Sequence, residues 1–236
     1  MEIIPVVDIC RGRVVHALRG QRATYQPVQS GLCSGSDPED IVQAFLDLYP
    51  FKKIYIADLD AITGMEINDK IINGFVMQFP DVCFWIDEGN SNIEDVVAVQ
   101  RHNRIQVAGS ETGISPEILN QMKNIVPPPV LSLDFRQGNF MGNMPLLLNP
   151  QCWPDHIIIM SLSRVGSGDG PDIELLNKIT SIAKDKKFYL AGGIRNKDDL
   201  NVLKETGIAG VLIATALHNG DISGEDLRKF LDKTAQ

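Results

Sequence analysis

Cysteine is scarce in this chain and basic charge is outweighed. Of 236 residues, four are cysteine (Cys10, Cys33, Cys83 and Cys152), widely spaced and without a CxxC pair. A redox motif is therefore not indicated, and a reduced, cytoplasmic setting is the expectation. His16, His102, His156 and His218 show no metal-ligand spacing, so neither a metal nor another cofactor is expected. Lys and Arg number 22 against 30 Asp and Glu, a formal charge of −8. That balance argues against nucleic acid or an anionic membrane surface, and an anionic ligand would need a local site. No segment approaches the ~18 uninterrupted apolar residues of a membrane span. The opening MEIIPVVDIC has no basic stretch ahead of a long apolar run, so no signal peptide is expected. GxSxG and Walker patterns are missing. So is a lysine at the end of any predicted strand, which disfavours Schiff-base chemistry.

What is present is a series of short apolar runs: IIPVVD (3–8), IYIAD (54–58), VCFWID (82–87), IQVAG (105–109), VLSLD (130–134), IIIMS (157–161), FYLAG (188–192) and VLIAT (211–215). Nearly continuous Ile, Leu and Val content marks parallel strands buried on both faces. Helical starts lie between them. Asp37-Pro38-Glu39 and Ser115-Pro116-Glu117 pair a capping side chain with proline at the first helical position, and Asn92, Asp172, Asn196 and Ser223 fit the same role. Residues 135–156 carry the weakest helical signal. Eight strands alternating with helices predict an α/β fold, a (β/α)8 TIM barrel in one domain spanning 1–236; an open doubly wound sheet is the alternative.

Internal similarity sharpens the barrel reading. Asp8-Ile9-Cys10-Arg11-Gly12 resembles Asp134-Phe135-Arg136-Gln137-Gly138, and Asp58-Leu59-Asp60 lies over Ser161-Leu162-Ser163. Residues 88–96 lie over 192–200, and Val107-Ala108 over Ile213-Ala214. Four strand ends matching four strand ends in order predict a two-fold repeat, with half-barrels of about 1–125 and 126–236.

In such barrels the chemistry sits at the C-terminal ends of the strands. Asp8 and Asp134 close the first and fifth strands, on opposite sides of the ring, where two carboxylates suit general acid–base catalysis. The competing reading is that each merely caps its own loop. Gly192 and Gly193 after the seventh strand, with Ala214, Thr215 and Ala216 after the eighth, form the expected phosphate site, where glycines admit an anion to backbone N–H groups. The matching half-site, Gly89, Asn90 and Ser91 with Gly109 and Ser110, is a candidate for a second anion or for another part of the substrate. Glu88 is an anion where phosphate would want none, so it is expected to turn away from the mouth or to meet something other than phosphate. Asp58, Ser161 and Arg164 are candidate pocket residues, and Arg136 and Arg195 are further possible anion contacts. A phosphorylated small molecule is the expected partner. The oligomeric state stays open.

The segments IIPVVDICRGRVV, IADLDAITG, SLDFRQG, IIIMSLSRVGSGDGPDIELL, LAGGIR and GVLIATALHNG resemble the histidine-biosynthesis barrels, in order and over essentially the whole chain. Of that family, the isomerase of the phosphoribosylformimino-aminoimidazole-carboxamide ribotide is the nearer match and the cyclase subunit of imidazole-glycerol-phosphate synthase the more distant. The resemblance implies an aldose–ketose (Amadori-type) isomerisation by Asp8 and Asp134, with one substrate phosphate at Gly192, Gly193, Ala214 and Thr215. It implies no cofactor. Departures are local. The family's glycine-rich loop after strand three reads EGNSN here, its strand-six TDISRDGT reads MSLSRVGS, and the arginine after the first VV is His16. These imply a divergent branch, of a kind associated with methanogenic and methylotrophic metabolism. Its reaction could serve another phosphorylated metabolite in one-carbon cofactor biosynthesis, or the barrel could be a non-catalytic binding subunit.

Overall fold

A computed structural model describes residues 1–66 and 68–232. Eight parallel strands close into a barrel: β1 (Glu2–Cys10), β2 (Lys53–Asp58), β3 (Cys83–Asp87), β4 (Arg104–Gly109), β5 (Val130–Arg136), β6 (His156–Ser161), β7 (Lys187–Ala191) and β8 (Gly210–Ile213). They pair in sequence order. The ring shuts on β1, whose Glu2–Pro5 pair with Gly210–Ile213 of β8 while its Val6–Ile9 pair with Tyr55–Asp58 of β2. The α/β barrel expectation holds, and the open-sheet alternative falls with that seam.

The apolar runs are continuous because alternate residues serve two cores. Ile3, Val7 and Ile9 of β1 face the helices, while Ile4 faces the barrel interior. Low in that interior, Trp85 meets Tyr189 edge-on at 4.9 Å between ring centroids, and His156 Nδ1 lies 3.0 Å from the Tyr189 hydroxyl. Such packed layers make the barrel a solid floor rather than a pore.

The helix starts read from sequence are all made. Asp37, Asn92, Ser115, Asp172, Asn196 and Ser223 each accept a backbone N–H of the first helical turn, and Ser223 forms a reciprocal box with Asp226. Between β5 and β6, where helical signal is weakest, only Met144–Leu148 and one 3₁₀ turn form. Trp153 is fully buried in this segment, its indole N–H donating to Leu146 O at 2.8 Å.

The repeat is visible in the backbone. β1 turns directly into an antiparallel partner (Arg13–His16) through Arg11-Gly12, and β5 into Asn139–Phe140 through Gln137-Gly138. All four turn residues have positive φ, 51° and 70° in the first turn and 50° and 75° in the second. Two-residue hairpins of this hand require that conformation at both positions, which accounts for the glycine in each. Asp8 and Asp134 thus enter equivalent hairpins in the two halves.

Candidate active site

Asp8 and Asp134 line one cavity of about 410 Å³ at the C-terminal mouth of the barrel. Gly192, Gly193, Ala214, Thr215, Ala216 and Arg164 line it as well. Alternation along the strands explains the two carboxylates. Interior positions are two apart, so β1 turns Ile4, Val6 and Asp8 inward, and β5 turns Val130 and Asp134 inward.

The two aspartates differ in their surroundings. Asp134 is 4% exposed and receives hydrogen bonds from Ser132 Oγ (2.6 Å), Ser110 Oγ (3.1 Å) and Glu111 N (3.0 Å). Asp8 accepts no hydrogen bond among the described residues and opens partly to the cavity. Enclosure pushes the Asp8 carboxyl up from 3.8 to about 7, with the Arg22 guanidinium pulling the other way. For Asp134 the same burial is offset mainly by the Ser132 hydroxyl, and the result is about 6. Both carboxyls therefore titrate near neutrality, the range in which one proton can be passed between reacting groups.

At the β7–β8 end, Gly192 and Gly193 have φ of 100° and 88°. A Cβ on Gly193 would lie 2.2 Å from Gly170 O, and one on Gly192 would lie 2.6 Å from Ser161 O. Only glycine lets these loops pack so closely. Thr215 opens a short helix, and its hydroxyl lies 3.4 Å from His16 Nε2, also on the cavity wall. The nearby arginines are engaged. Arg195 holds Asp199 through two bonds of 2.8 and 2.9 Å, and Arg164 donates to Asp169 O at 3.0 Å.

The opposite end departs from the sequence expectation. Gly89, Asn90, Ser91, Gly109 and Ser110 do not line the cavity, and neither do Asp58 and Ser161. Asp58 is fully buried and accepts from Ala61 N, Asn68 N and Asn68 Nδ2, which tie down the loop after β2. Ser161 is buried beside Asp172, with 3.5 Å between their oxygens. Asn90 donates to Gln106 at 3.3 Å, and the Ser110 hydroxyl goes to Asp134. Glu88 turns outward into the helix layer, where it meets Arg104 at 2.7 Å with 5% and 3% of the two side chains exposed. Burial nevertheless holds the Glu88 carboxyl above its usual range, and Glu88 Oε2 and Arg104 Nε are unpartnered among the described residues.

Breaking a buried pair strands a charge and is expected to cost about 3–5 kcal/mol. Arg104→Met should therefore lower the melting temperature markedly, and Glu88→Leu added to it should restore most of the loss. A single variant that melts like the parent would show that the pair carries no such weight.

In place of that half-site stand residues the sequence reading passed over. Asp87 is the inward residue at the end of β3, 7% exposed, accepting from the Tyr55 hydroxyl (3.2 Å) and Gly89 N (3.0 Å). Burial, and then the charge of Asp134, raise its pKa to about 7. A Cβ on Gly109 would lie 3.4 Å from Asp87 Oδ2 and 3.6 Å from Asp134 Oδ2, so the two carboxylates face one point. Arg22, from the loop after β1, reaches into the cavity and pairs with Glu111.

Comparison with known proteins places the chain in a family. Residues 2–146 and 151–223 match the family described as histidine biosynthesis protein. An uncharacterized protein of Methanocaldococcus jannaschii is 32% identical over 237 residues, covering 98% of this chain and all of the relative. Two proteins named 1-(5-phosphoribosyl)-5-((5-phosphoribosylamino)methylideneamino) imidazole-4-carboxamide isomerase are each 24% identical. That of Thermococcus onnurineus covers 98% of this chain and all of its own, and that of Thermococcus kodakarensis covers 96% of each. With the family matched along nearly its whole length, the chain belongs to the histidine biosynthesis protein family.

Proposed function

We propose that this barrel is an aldose–ketose isomerase of the Amadori type, acting on a phosphorylated, ribotide-like aminoaldose. The observation that carries the reading is the placement of Asp8 and Asp134 across one cavity whose third side is the Gly192-Gly193 turn. The phosphate would sit against Gly192, Gly193 and the Ala214–Ala216 segment. Backbone N–H groups there, with the Thr215 hydroxyl, supply donors at no side-chain entropy cost.

The chemistry needs only proton transfer. A carboxyl, assigned to Asp134, protonates the ring oxygen, and the C1–O bond breaks as the nitrogen lone pair forms the imine. A carboxylate, assigned to Asp8, takes the C2 proton to give the enaminol; a proton returned to C1, with the C2 hydroxyl proton passing to the Asp134 carboxylate left by ring opening, gives the aminoketose. Nothing is oxidised or reduced overall. The pair must begin with one proton between them, and carboxyls at about 7 and about 6 allow this near neutrality; the higher value at Asp8 favours the proton there, which exchanges the two roles.

The profile of kcat/KM against pH should accordingly be a narrow bell with limbs near 6 and 7. A flat profile through that range would exclude the pair as the proton carriers. The activity itself is tested with N-(5-phosphoribosyl) amines and with the bisphosphorylated ribotide of the named relatives, in deuterium oxide. Product aminoketose should carry deuterium at C1. If the aminoaldoses bind without isomerising, a different reaction on a phosphorylated metabolite, as in one-carbon cofactor biosynthesis, replaces this one. The remodelled β3 end is what favours that second reading.

A further inference from the structure

We propose that the ligand carries one phosphate, held at β7–β8, and at its other end a protonated nitrogen, an ammonium or amidinium, received by Asp87. This rests on the phosphate-anchored reading above and specifies what lies opposite the anchor.

Three observations lead there. The first is that the β3–β4 loop residues expected to take a second anion stand outside the cavity. A Cβ on Gly89 would come 3.0 Å from Ile62 Cα, so the turn is packed against the loop after β2. Of the donors that might have held a phosphate, Asn90 Nδ2 and Ser110 Oγ are spent on Gln106 and Asp134, and Ser91 does not line the cavity.

The second is the charge count at the cavity wall. Asp8, Asp87, Glu111 and Asp134 line its β1, β3, β4 and β5 side, where the guanidinium present is that of Arg22, itself paired with Glu111; Arg164 and Arg195 also line the wall, bonded to Asp169 O and to Asp199. An incoming phosphate would meet carboxylates it cannot neutralise; like charges at ~4 Å repel by several kcal/mol at intermediate dielectric. A cation reverses the sign of every one of these contacts.

The third is unused acceptor capacity. The Asp8 carboxyl, enclosed at the mouth, has no hydrogen-bond donor among the described residues. Asp87 receives one donor on each oxygen, and each oxygen can accept a second. On the β6 side Met160, Leu162 and Val165 line the wall, so the aliphatic part of a ligand has an apolar surface to cross. A nitrogen-bearing group is also what an aminoaldose presents beyond its sugar.

The test uses three matched series of increasing chain length: ω-aminoalkyl phosphates, ω-hydroxyalkyl phosphates and alkane-α,ω-bisphosphates. Binding is measured by calorimetry at mildly alkaline pH, with inorganic phosphate as the minimal anchor. At the best length the amine should bind about 10- to 100-fold tighter than the alcohol, the worth of one charge-assisted hydrogen bond. The bisphosphate should bind no tighter than the alcohol. Asp87→Asn should remove the amine's advantage and leave the alcohol's affinity unchanged. If that variant does not fold, the comparison on the parent protein decides by itself. Alcohols and phosphate binding with no gain from the amine, or the bisphosphate binding tightest, overturns the proposal and leaves the phosphate anchor standing. No affinity for any phosphate compound removes the anchor and the proposal together.

Discussion

Asp8→Asn and Asp134→Asn should each lower turnover by about 10²–10⁴-fold, the usual contribution of one general acid or base. Phosphate affinity should barely change, because the anchoring loops leave β7 and β8 on another part of the rim. The double variant should lose far less than the product of the two, since both groups serve one reaction coordinate. Stability separates the pair further. Asp8 has its carboxyl raised to about 7 by burial, so its protonated form stabilises the fold at acid pH, and that contribution is lost as pH rises through about 7. Asp8→Asn should thus melt higher than the parent at alkaline pH and converge with it toward pH ~4, the unfolded carboxyl value. Asp134→Asn should gain less, because three donors already satisfy its carboxylate. Full activity in either variant would place proton transfer elsewhere.

Gly193→Ala should be nearly as damaging by another route. The added methyl would sit 2.2 Å from Gly170 O at a φ of 88°, so the β6 and β7 loops must part. Losing one charge-assisted N–H contact to phosphate weakens binding by roughly 10- to 100-fold. Gly207→Ala is the control: φ there is 76° but nothing lies within 4 Å of the added methyl, so strain comes without collision and far from the cavity. If Gly193→Ala binds inorganic phosphate as the parent does, the anion is held somewhere else.

Much of this was legible in the sequence, for identifiable reasons. Strands buried on both faces read as unbroken apolar runs, and helix starts declare themselves through side chains that must accept an N–H. The paired aspartates showed through the repeat, because DICRG and DFRQG share a turn only positive φ can close. At the β3 end Glu88 turns away from the mouth as expected, but its neighbour carried a signal too: with Trp85 facing the interior, the two-residue alternation places Asp87 inward and Glu88 outward. The signal was there in VCFWIDE. Arg22 and Glu111 carried none. They meet from loops 89 residues apart, and no local pattern encodes such an encounter. Asp58 and Ser161 look mouth-facing by position, but each lies on the outward side of its strand.

The seam on β1 sets an order of events during folding. Glu2–Pro5 have no strand partner until Gly210–Ile213 arrive, while Val6–Ile9 can pair with Tyr55–Asp58 much earlier. The lower half of β1 is therefore expected to stay without its strand partner until the residues of β8 have been made. That bare edge is a template for any other unpaired strand until the last one docks, and the long loop it closes makes this the slowest pairing to reach. Glu2 and Lys53, linked at 2.7 Å beside that lower edge, put charge where premature partners would otherwise add on.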